Sequence, residues 1–337
     1  MRYTFWNNKG GTGKTSLAFQ TICRYAELNK DSRILAVDLC PQANLSELFL
    51  GGLTQGGTDN LLKQQALTPR CSIGGYFEKR LPSPYTIPNF NFNDFITSPA
   101  RFNSGIPKNI DLICGDPMLE LQATAMNTLA NTQLPGIEAW ISVLRWGYDL
   151  LDKSGEVYDL IFFDCNPSFS IYTQIGLAVT DRLILPVMAD DSSRRAVRNV
   201  LSLVYGFHLP SKIYAQYAFN SKLEKAGYSL PKVHLIVKNR ITQYMGSASA
   251  YAAVLKTIEF DIENLSKSHP ASFTFKSIDK NVVEIPDFQT TGVVAFAKGL
   301  PISGLRSGYH TVAGRRVQVR NDYEKYLNDI DGIVNAL

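Results

Sequence analysis

The sequence predicts an α/β fold in which a mostly parallel sheet carries helices on both faces. Short apolar runs alternate along the chain with longer stretches of helical periodicity. Most of the runs are nearly continuous in Ile, Leu, Val and Phe, which is typical of strands buried on both faces. Strand–helix alternation of this kind indicates a parallel sheet, whose ligand-binding loops leave the carboxyl ends of the strands.

In chain order, seven segments are predicted to be strands: residues 3–6, 33–39, 110–114, 158–164, 182–188, 233–238 and 282–285. Between them, apolar side chains recur at helical spacing over residues 17–26 and 137–151. A last helix is predicted over residues 321–335, with an acidic polar face.

The 337 residues are expected to form one elaborated domain, 1–337. Residues 51–109 interrupt the pattern as a long, irregular insertion rich in proline and aromatic residues. Long loops are usually functional, so the insertion is a candidate lid or partner-docking surface. An elaboration that packs on the domain surface explains the same composition.

Composition excludes several other classes of protein. With 45% hydrophobic residues the chain can build a core, which excludes disorder. No apolar run approaches the ~18 residues that span a bilayer, and no secretory signal is present, so we expect a cytoplasmic protein. Five cysteines without a C-x-x-C pair and four histidines without ligand spacing predict neither a disulfide framework nor a zinc site.

The first predicted strand leads into a glycine-rich segment, residues 7–16, with the sequence NNKGGTGKTS. A strand before it and a helix after it are the context that a phosphate-binding loop requires. Glycines let the backbone N–H groups point at phosphate oxygens, and the helix N-terminus adds positive charge. We expect Lys14 to reach the β- and γ-phosphates and the Thr15 hydroxyl to bind Mg²⁺. The predicted nucleotide-binding residues here are Lys9, Gly10, Gly11, Thr12, Gly13, Lys14, Thr15 and Ser16.

Two departures from the usual loop are informative. Asn8 stands where the first glycine is usual, and a second lysine, Lys9, precedes the glycine pair. This resembles the deviant Walker A loop of the ParA/MinD family of P-loop ATPases. The resemblance implies a three-layer α/β/α domain and a homodimer with ATP sandwiched in it. It also implies catalytic roles for Lys9, Lys14 and Asp38, with Lys9 reaching the partner's phosphates.

Later segments extend the resemblance. Residues 34–44 resemble the family's second motif and contain Asp38, and residues 158–168 resemble its Walker B strand, which ends at Asp164. Thr15, Asp38 and Asp164 are therefore the predicted Mg²⁺ site. Residues 235–240 and 285–287 resemble segments at the nucleotide base, which implies base contacts by Asn239, Pro286 and Asp287. Residues 292–301 resemble the closing helix and turn.

The family's water-positioning carboxylate falls on Cys40 in this chain. A thiol has an unperturbed pKa of about 8.5 and accepts hydrogen bonds weakly. We therefore expect slow ATP hydrolysis, so that ATP acts as a long-lived dimer lock. Alternatively, Asp38 or a carboxylate from elsewhere takes over the role.

A basic segment near the C-terminus is a candidate DNA-binding surface. Residues 288–321 contain no Asp or Glu, and their positive charges can follow a phosphate backbone. The alternative is an ordinary solvated face. The resemblance also implies non-specific DNA binding. The candidate residues are Lys298, Arg306, Arg315, Arg316 and Arg320.

A membrane anchor is not expected, because the acidic face of the helix predicted over residues 321–335 is repelled by anionic lipid. A second arginine cluster, Arg194, Arg195 and Arg198, follows two aspartates and suits a helix start or a dimer interface.

Together these features predict a ParA-like ATPase in the cytoplasm or on the nucleoid. Its Mg-ATP-dependent homodimer would control DNA binding, or recruitment of a protein partner, as in plasmid or chromosome partition. Two alternatives stay open. One is a nucleotide-gated subunit of a larger assembly, such as a phage-defence or mobile-element complex. The other is a metabolic P-loop enzyme, since fold alone does not decide function.

Overall fold

A computed structural model describes residues 1–241, 250–278 and 280–337. Its centre is a seven-stranded sheet in which every neighbouring pair is parallel, in the order β3-β2-β4-β1-β5-β6-β7. All seven predicted strands are confirmed, with bounds that shift by at most a few residues. The strands are β1 (Arg2–Phe5), β2 (Ile34–Leu39), β3 (Ile110–Ile113), β4 (Leu160–Cys165), β5 (Arg182–Val187), β6 (Lys232–Ile241) and β7 (Val282–Pro286).

Helices cover both faces of this sheet, as predicted. They are α1 (Lys14–Leu28), α2 (Asn44–Phe49), α3 (Gly57–Gln65), α4 (Ile73–Arg80), α5 (Leu119–Ala130), α6 (Ala139–Lys153), α7 (Ile171–Ala178), α8 (Asp191–Tyr205), α9 (Lys212–Ala215), α10 (Phe219–Lys225), α11 (Ala250–Ser268), α12 (Gln289–Lys298) and α13 (Lys325–Val334). The last of these begins four residues later than predicted.

The two faces of the sheet have separate cores because successive side chains of a strand point to opposite sides. In β2, Leu35 and Val37 join the larger core, which α4 to α8 cover. Ile34 and Ala36 join the second core, which α1 and α2 cover. Burial on both faces explains why these strands appear in the sequence as unbroken apolar runs.

The insertion 51–109 is more regular than its composition indicated. It contains α3, α4 and two short 3₁₀ helices, Phe92–Phe95 and Pro99–Arg101. The Ser72 hydroxyl caps α4 by accepting a hydrogen bond from the Gly75 N–H at 3.1 Å. Every aromatic side chain of residues 76–102 is buried or half-buried; most of them pack against the larger core, and Phe102 packs against the second.

A C-terminal β-hairpin was not predicted. Its strands, β8 (Gly308–Val312) and β9 (Arg315–Val319), pair antiparallel and lie outside the main sheet. Val319 anchors the hairpin in a third, small core formed with α12 and α13. The five-residue strands have only one packed face, which gives them a weak apolar signal.

Across the described ranges, no helix combines the length and apolar character that crossing a membrane requires.

A buried ion pair ties the insertion to α6 and provides a test of its packing. Arg80 Nη1 lies 2.6 Å from Asp149 Oδ2, and both side chains are at most 3% exposed. The Arg80 guanidinium also lies over the Trp146 ring, 5.3 Å from its centroid.

We expect Asp149→Ala to lower the free energy of unfolding by about 3–5 kcal/mol, because it leaves the Arg80 charge buried and uncompensated. Urea titration measures this loss. The double variant Arg80→Met/Asp149→Leu is the control and should recover most of the stability. A loss below about 1 kcal/mol in the single variant would show that the insertion does not depend on this pair.

Candidate functional site

The glycine-rich loop follows β1, and side chains at its start hold it in place. The Trp6 indole N–H donates to the Asn166 carbonyl at 2.8 Å, and the Asn8 amide donates to the Pro167 carbonyl at 3.1 Å. On the other side, the Asn7 amide donates to the Pro186 carbonyl at 2.7 Å. The loop is thus tied to the chain after β4 and to β5, its two neighbours in the sheet.

The loop curls tightly at Gly11 and Gly13, whose φ angles of 73° and 79° lie in the left-handed region. A Cβ at Gly13 would lie 2.2 Å from Asn239 Nδ2, so only glycine fits there. Asn239 also donates to the Thr12 carbonyl at 2.8 Å. The end of β6 therefore braces the loop directly.

The concave side of the loop offers hydrogen-bond donors to a ligand. Gly13 caps α1 without a side-chain hydrogen bond, so the first N–H groups of this 15-residue helix have no side-chain cap. Among the described residues, the buried Thr12 hydroxyl has no hydrogen-bond partner, and a Cβ at Gly10 or Gly11 would meet nothing within 4 Å. This open, positively polarised cradle fits a phosphate chain.

The two loop lysines have different surroundings. Lys14 Nζ donates to the Lys9 carbonyl at 2.9 Å, and burial lowers the pKa of Lys14 although the Asp164 charge opposes this. Lys9 forms an ion pair with Asp190, and its Nζ lies 3.3 Å from Ser193 Oγ. Burial alone would raise the pKa of Asp190, but hydrogen bonds from Lys9 and nearby groups bring it down to about 2.

The Lys9 partners were not predicted from the sequence. Asp190 and Ser193 lie just after β5, and the sequence offered one signal for them, a polar D-D-S-S run at the end of a buried strand. They reach Lys9 because β5 is the neighbour of β1.

Two carboxylates lie side by side beyond the loop. Asp38 and Asp164 are register partners on β2 and β4, and both are buried. Burial, joined by the Asp38 charge, raises the pKa of Asp164 to about 7. Burial also raises the pKa of Asp38 to about 6, although hydrogen bonds from Ser46 act against it.

The two carboxylates differ in how fully they are hydrogen-bonded. The Thr15 hydroxyl donates to Asp164 Oδ2 at 2.7 Å, while Oδ1 has no hydrogen-bond partner in the part of the chain that the structure describes. Asp38 instead accepts from the Ser46 N–H at 2.9 Å, the Ser46 hydroxyl at 2.7 Å and the Cys40 N–H at 3.1 Å. Asp164 therefore has an oxygen free for a cation, whereas Asp38 also holds the turn after β2.

Cys40 lies beside these carboxylates and is buried. Burial, together with the nearby Asp38 and Asp164 charges, raises the pKa of its thiol to about 12. The thiol is therefore neutral at physiological pH and is a poor group for orienting water.

The predicted base contacts line one cavity of about 920 Å³ next to the loop. Asn239, Pro286 and Asp287 meet Gly13 and Ser16 there. The rest of the wall is largely apolar, with contributions from α1, α2 and α12, as is common for ligand pockets. The sequence motifs predicted Asn239, Pro286 and Asp287 but not the apolar wall, because distant loops and helices form it.

The candidate DNA-binding residues lie elsewhere, around the hairpin. Lys298 ends α12 and its Nζ lies 2.9 Å from His310 Nδ1 of β8. Arg306, Arg315, Arg316 and Arg320 lie on β9 or flank the hairpin, and all four are exposed. By contrast, Arg194 and Arg198 on α8 pair with Asp261, and Arg195 pairs with Asp191.

The raised carboxylate pKa values predict how stability depends on pH. In the folded state Asp164 keeps a proton up to a pH of about 7, whereas an unfolded aspartate releases it near 3.9. The folded state thus binds more protons in this window, and its stability falls as pH rises. At each pH, the free energy of unfolding of the wild type is subtracted from that of Asp164→Asn. We expect this difference to be about 2 kcal/mol more positive at pH 8 than at pH 5, because only the wild type loses stability through Asp164 as the pH rises.

Urea titration without nucleotide or metal at the two pH values measures this difference. Asp31→Asn, at an exposed position, is the control and should differ from the wild type equally at both. A pH-independent difference for Asp164→Asn would contradict the burial argument.

Comparison with known proteins identifies a family for this chain. The profile of the AAA_31 family, described as an AAA domain, matches residues 3–213. PomZ, a cell division protein of Myxococcus xanthus, is 28% identical over 189 residues, covering 56% of this chain and 46% of PomZ. The chain spans about half the length of the curated relatives it matches.

Solved structures show the same fold at low sequence identity. The ATP complex of a Cyanothece McdA variant is 15% identical, with a TM-score of 0.62 over 99% of this chain and 95% of that one. The pNOB8 ParA protein bound to nonspecific DNA is also 15% identical, with a TM-score of 0.53 over 99% of this chain and 98% of that one. The chain belongs to the AAA_31 family of AAA domains, and it is similar to PomZ in sequence and to McdA and ParA proteins in fold.

Proposed function

We propose that this chain is a Mg-ATP-gated homodimerising switch that controls DNA binding or partner recruitment, as in plasmid or chromosome partition. The observation that carries the proposal is a glycine cradle that Lys14 bridges, with Thr15 hydrogen-bonded to Asp164, whose other oxygen has no partner among the described residues. On this proposal the whole chain, 1–337, works as one ATPase domain in the cytoplasm or on the nucleoid.

The residues present fit Mg²⁺ and ATP. The Thr15 hydroxyl and Asp164 offer the hard oxygen ligands that Mg²⁺ prefers, with Asp38 beside them. When bound, Mg²⁺ would neutralise phosphate charge. Lys14 would turn from the Lys9 carbonyl to the phosphates. The adenine base would lie in the cavity against Asn239, Pro286 and Asp287.

Lys9 would act across the dimer. Its side chain is partly exposed and reaches the surface beside the loop. The ion pair with Asp190 would be exchanged for the partner's triphosphate, which carries more negative charge. Dimerisation would then require ATP, because ADP lacks the γ-phosphate whose negative charge would stabilise Lys9 in its new position.

Hydrolysis would be slow, because the neutral Cys40 thiol cannot orient the attacking water as a carboxylate does. Asp38, the carboxylate that could replace it, already accepts three hydrogen bonds from residues 40–46. ATP would thus hold the dimer together for a long time.

Two observations support DNA binding as the function that the ATP-bound dimer would control. Exposed arginines cluster around the hairpin, and the related pNOB8 ParA binds nonspecific DNA. The alternative, a subunit of a larger assembly, would be supported by Cys40 and by an exposed aromatic patch on the insertion. The insertion aromatics pack inward, which removes one of these two supports.

We expect the wild-type chain to hydrolyse ATP slowly and Cys40→Asp to raise the rate roughly 10–100-fold, because a carboxylate orients water better. Phosphate release under saturating Mg-ATP measures this. Cys40→Ser is the control and should give no comparable gain. Fast turnover by the wild type, or an equal gain from the serine, would refute the role given to Cys40.

We expect Lys9→Ala to bind ATP but to stay monomeric, and Lys14→Ala to lose ATP binding. Light scattering with ADP, ATP and a non-hydrolysable analogue measures the dimer, and fluorescent-nucleotide titration measures binding. Lys30→Ala, at an exposed position, is the control and should behave as the wild type. ATP-dependent dimers of Lys9→Ala would contradict a role for Lys9 across the dimer.

A further inference from the structure

The β8–β9 hairpin has one packed face and one free face. Val312 and Val317 pack on the third core, and Val319 is buried in it. The alternate positions point the other way, because side chains of a strand alternate between faces. In the antiparallel register, Tyr309 pairs with Gln318 and Thr311 pairs with Arg316. These four exposed residues, Tyr309, Thr311, Arg316 and Gln318, form what we call the outer face of the hairpin.

The outer face is polar, cationic and partly preorganised. The Arg316 guanidinium lies over the Tyr309 ring, 4.5 Å from its centroid, which restricts both side chains before any ligand arrives. Arg306 and Arg320 flank the open end of the hairpin, and Arg315 follows its tip. Within the described ranges, no carboxylate oxygen lies within 4.0 Å of a nitrogen of these four arginine side chains.

We propose that the outer face lies in the major groove of duplex DNA and gives this chain a sequence preference beyond non-specific phosphate binding. This proposal rests on the DNA binding proposed above and adds to it an element that recognises base sequence. A major groove about 12 Å wide admits a two-stranded ribbon whose strands are about 4.8 Å apart.

The side chains match the chemistry of base edges. Arginine pairs with guanine through two hydrogen bonds, glutamine does the same with adenine, and threonine contacts the thymine methyl group. Arg316, Gln318 and Thr311 offer these three contacts from one face. Arg306 and Arg320 at the open end of the hairpin and Arg315 at its tip would hold the flanking phosphates, which position the ribbon without reading sequence.

The outer face suits other charged surfaces less well. The major groove of duplex RNA is too narrow and deep for side chains to read. Binding to a bilayer surface needs an apolar face to enter the lipid, and only Tyr309 offers apolar area here.

Selection from a random duplex pool tests the proposal, with the full chain, Mg²⁺ and a non-hydrolysable ATP analogue. We expect the wild type to enrich sites with guanine and adenine at fixed positions. Arg316→Lys keeps the charge but should lose the guanine preference by at least about fivefold, because lysine lacks the planar fork. Gln318→Ala should relax the adenine position and bind random DNA within about twofold of the wild type.

Arg315→Gln is the matched phosphate-contact variant. It should weaken binding to every sequence alike and reduce the slope of log affinity against log salt by about 1, with the preference unchanged. ATP-dependent dimerisation of each variant, measured by light scattering, confirms that the variant is folded.

A wild type without sequence preference would overturn the proposal, as would Arg316→Lys and Gln318→Ala variants that select the same sites as the wild type. Stronger binding to duplex RNA, or to vesicles of 70% phosphatidylcholine and 30% phosphatidylglycerol, would also overturn it. In each of these cases, ATP-dependent dimers that still bind random DNA would leave the proposed function standing. Dimers that bind no DNA would contradict both the major-groove proposal and the proposed DNA binding.

Discussion

The burial of two carboxylates side by side is the constraint on which the site depends. Parallel pairing of β2 with β4 makes Asp38 and Asp164 register partners in the protein interior. Two negative charges there repel one another and lack water, so proton uptake is favoured when no cation is present. Both oxygens of Asp38 accept hydrogen bonds, whereas one oxygen of Asp164 has no partner among the described residues. Burying both charges therefore carries an electrostatic cost, which a divalent cation bound beside the glycine loop would reduce.

The surroundings of this pair support the proposed nucleotide-held switch. Lys9 is already paired with Asp190, so its charge is compensated before any second copy arrives. Cys40, beside the two carboxylates, contributes neither charge nor a strong acceptor. The loop itself is braced by Asn239 and by carbonyls that follow β4 and end β5, which fixes its shape in advance. Preorganisation for binding, without an equivalent group for water, is what a nucleotide-held switch needs.

The sequence was most informative where residues are buried on both sides. The seven sheet strands were predicted because double burial leaves unbroken apolar runs, and the loop was predicted because its glycines and lysines sit at fixed spacing. The hairpin was missed because one short face of Val312, Val317 and Val319 is interleaved with arginine and glutamine. The Lys9–Asp190 pair and the apolar cavity depend on strand order and on loops far apart in the chain, which no local pattern encodes. The helices of the insertion were hidden by its prolines and aromatics.

The separateness of the third core has an evolutionary consequence. The hairpin is anchored by a few valines to α12 and α13, away from the two cores that flank the sheet. Side chains on its outer face contribute little to packing, so replacing them changes stability by small amounts. Mutations can therefore accumulate on that face while the ATPase core stays intact. Sister proteins that share one cell could diverge there and remain independent of one another.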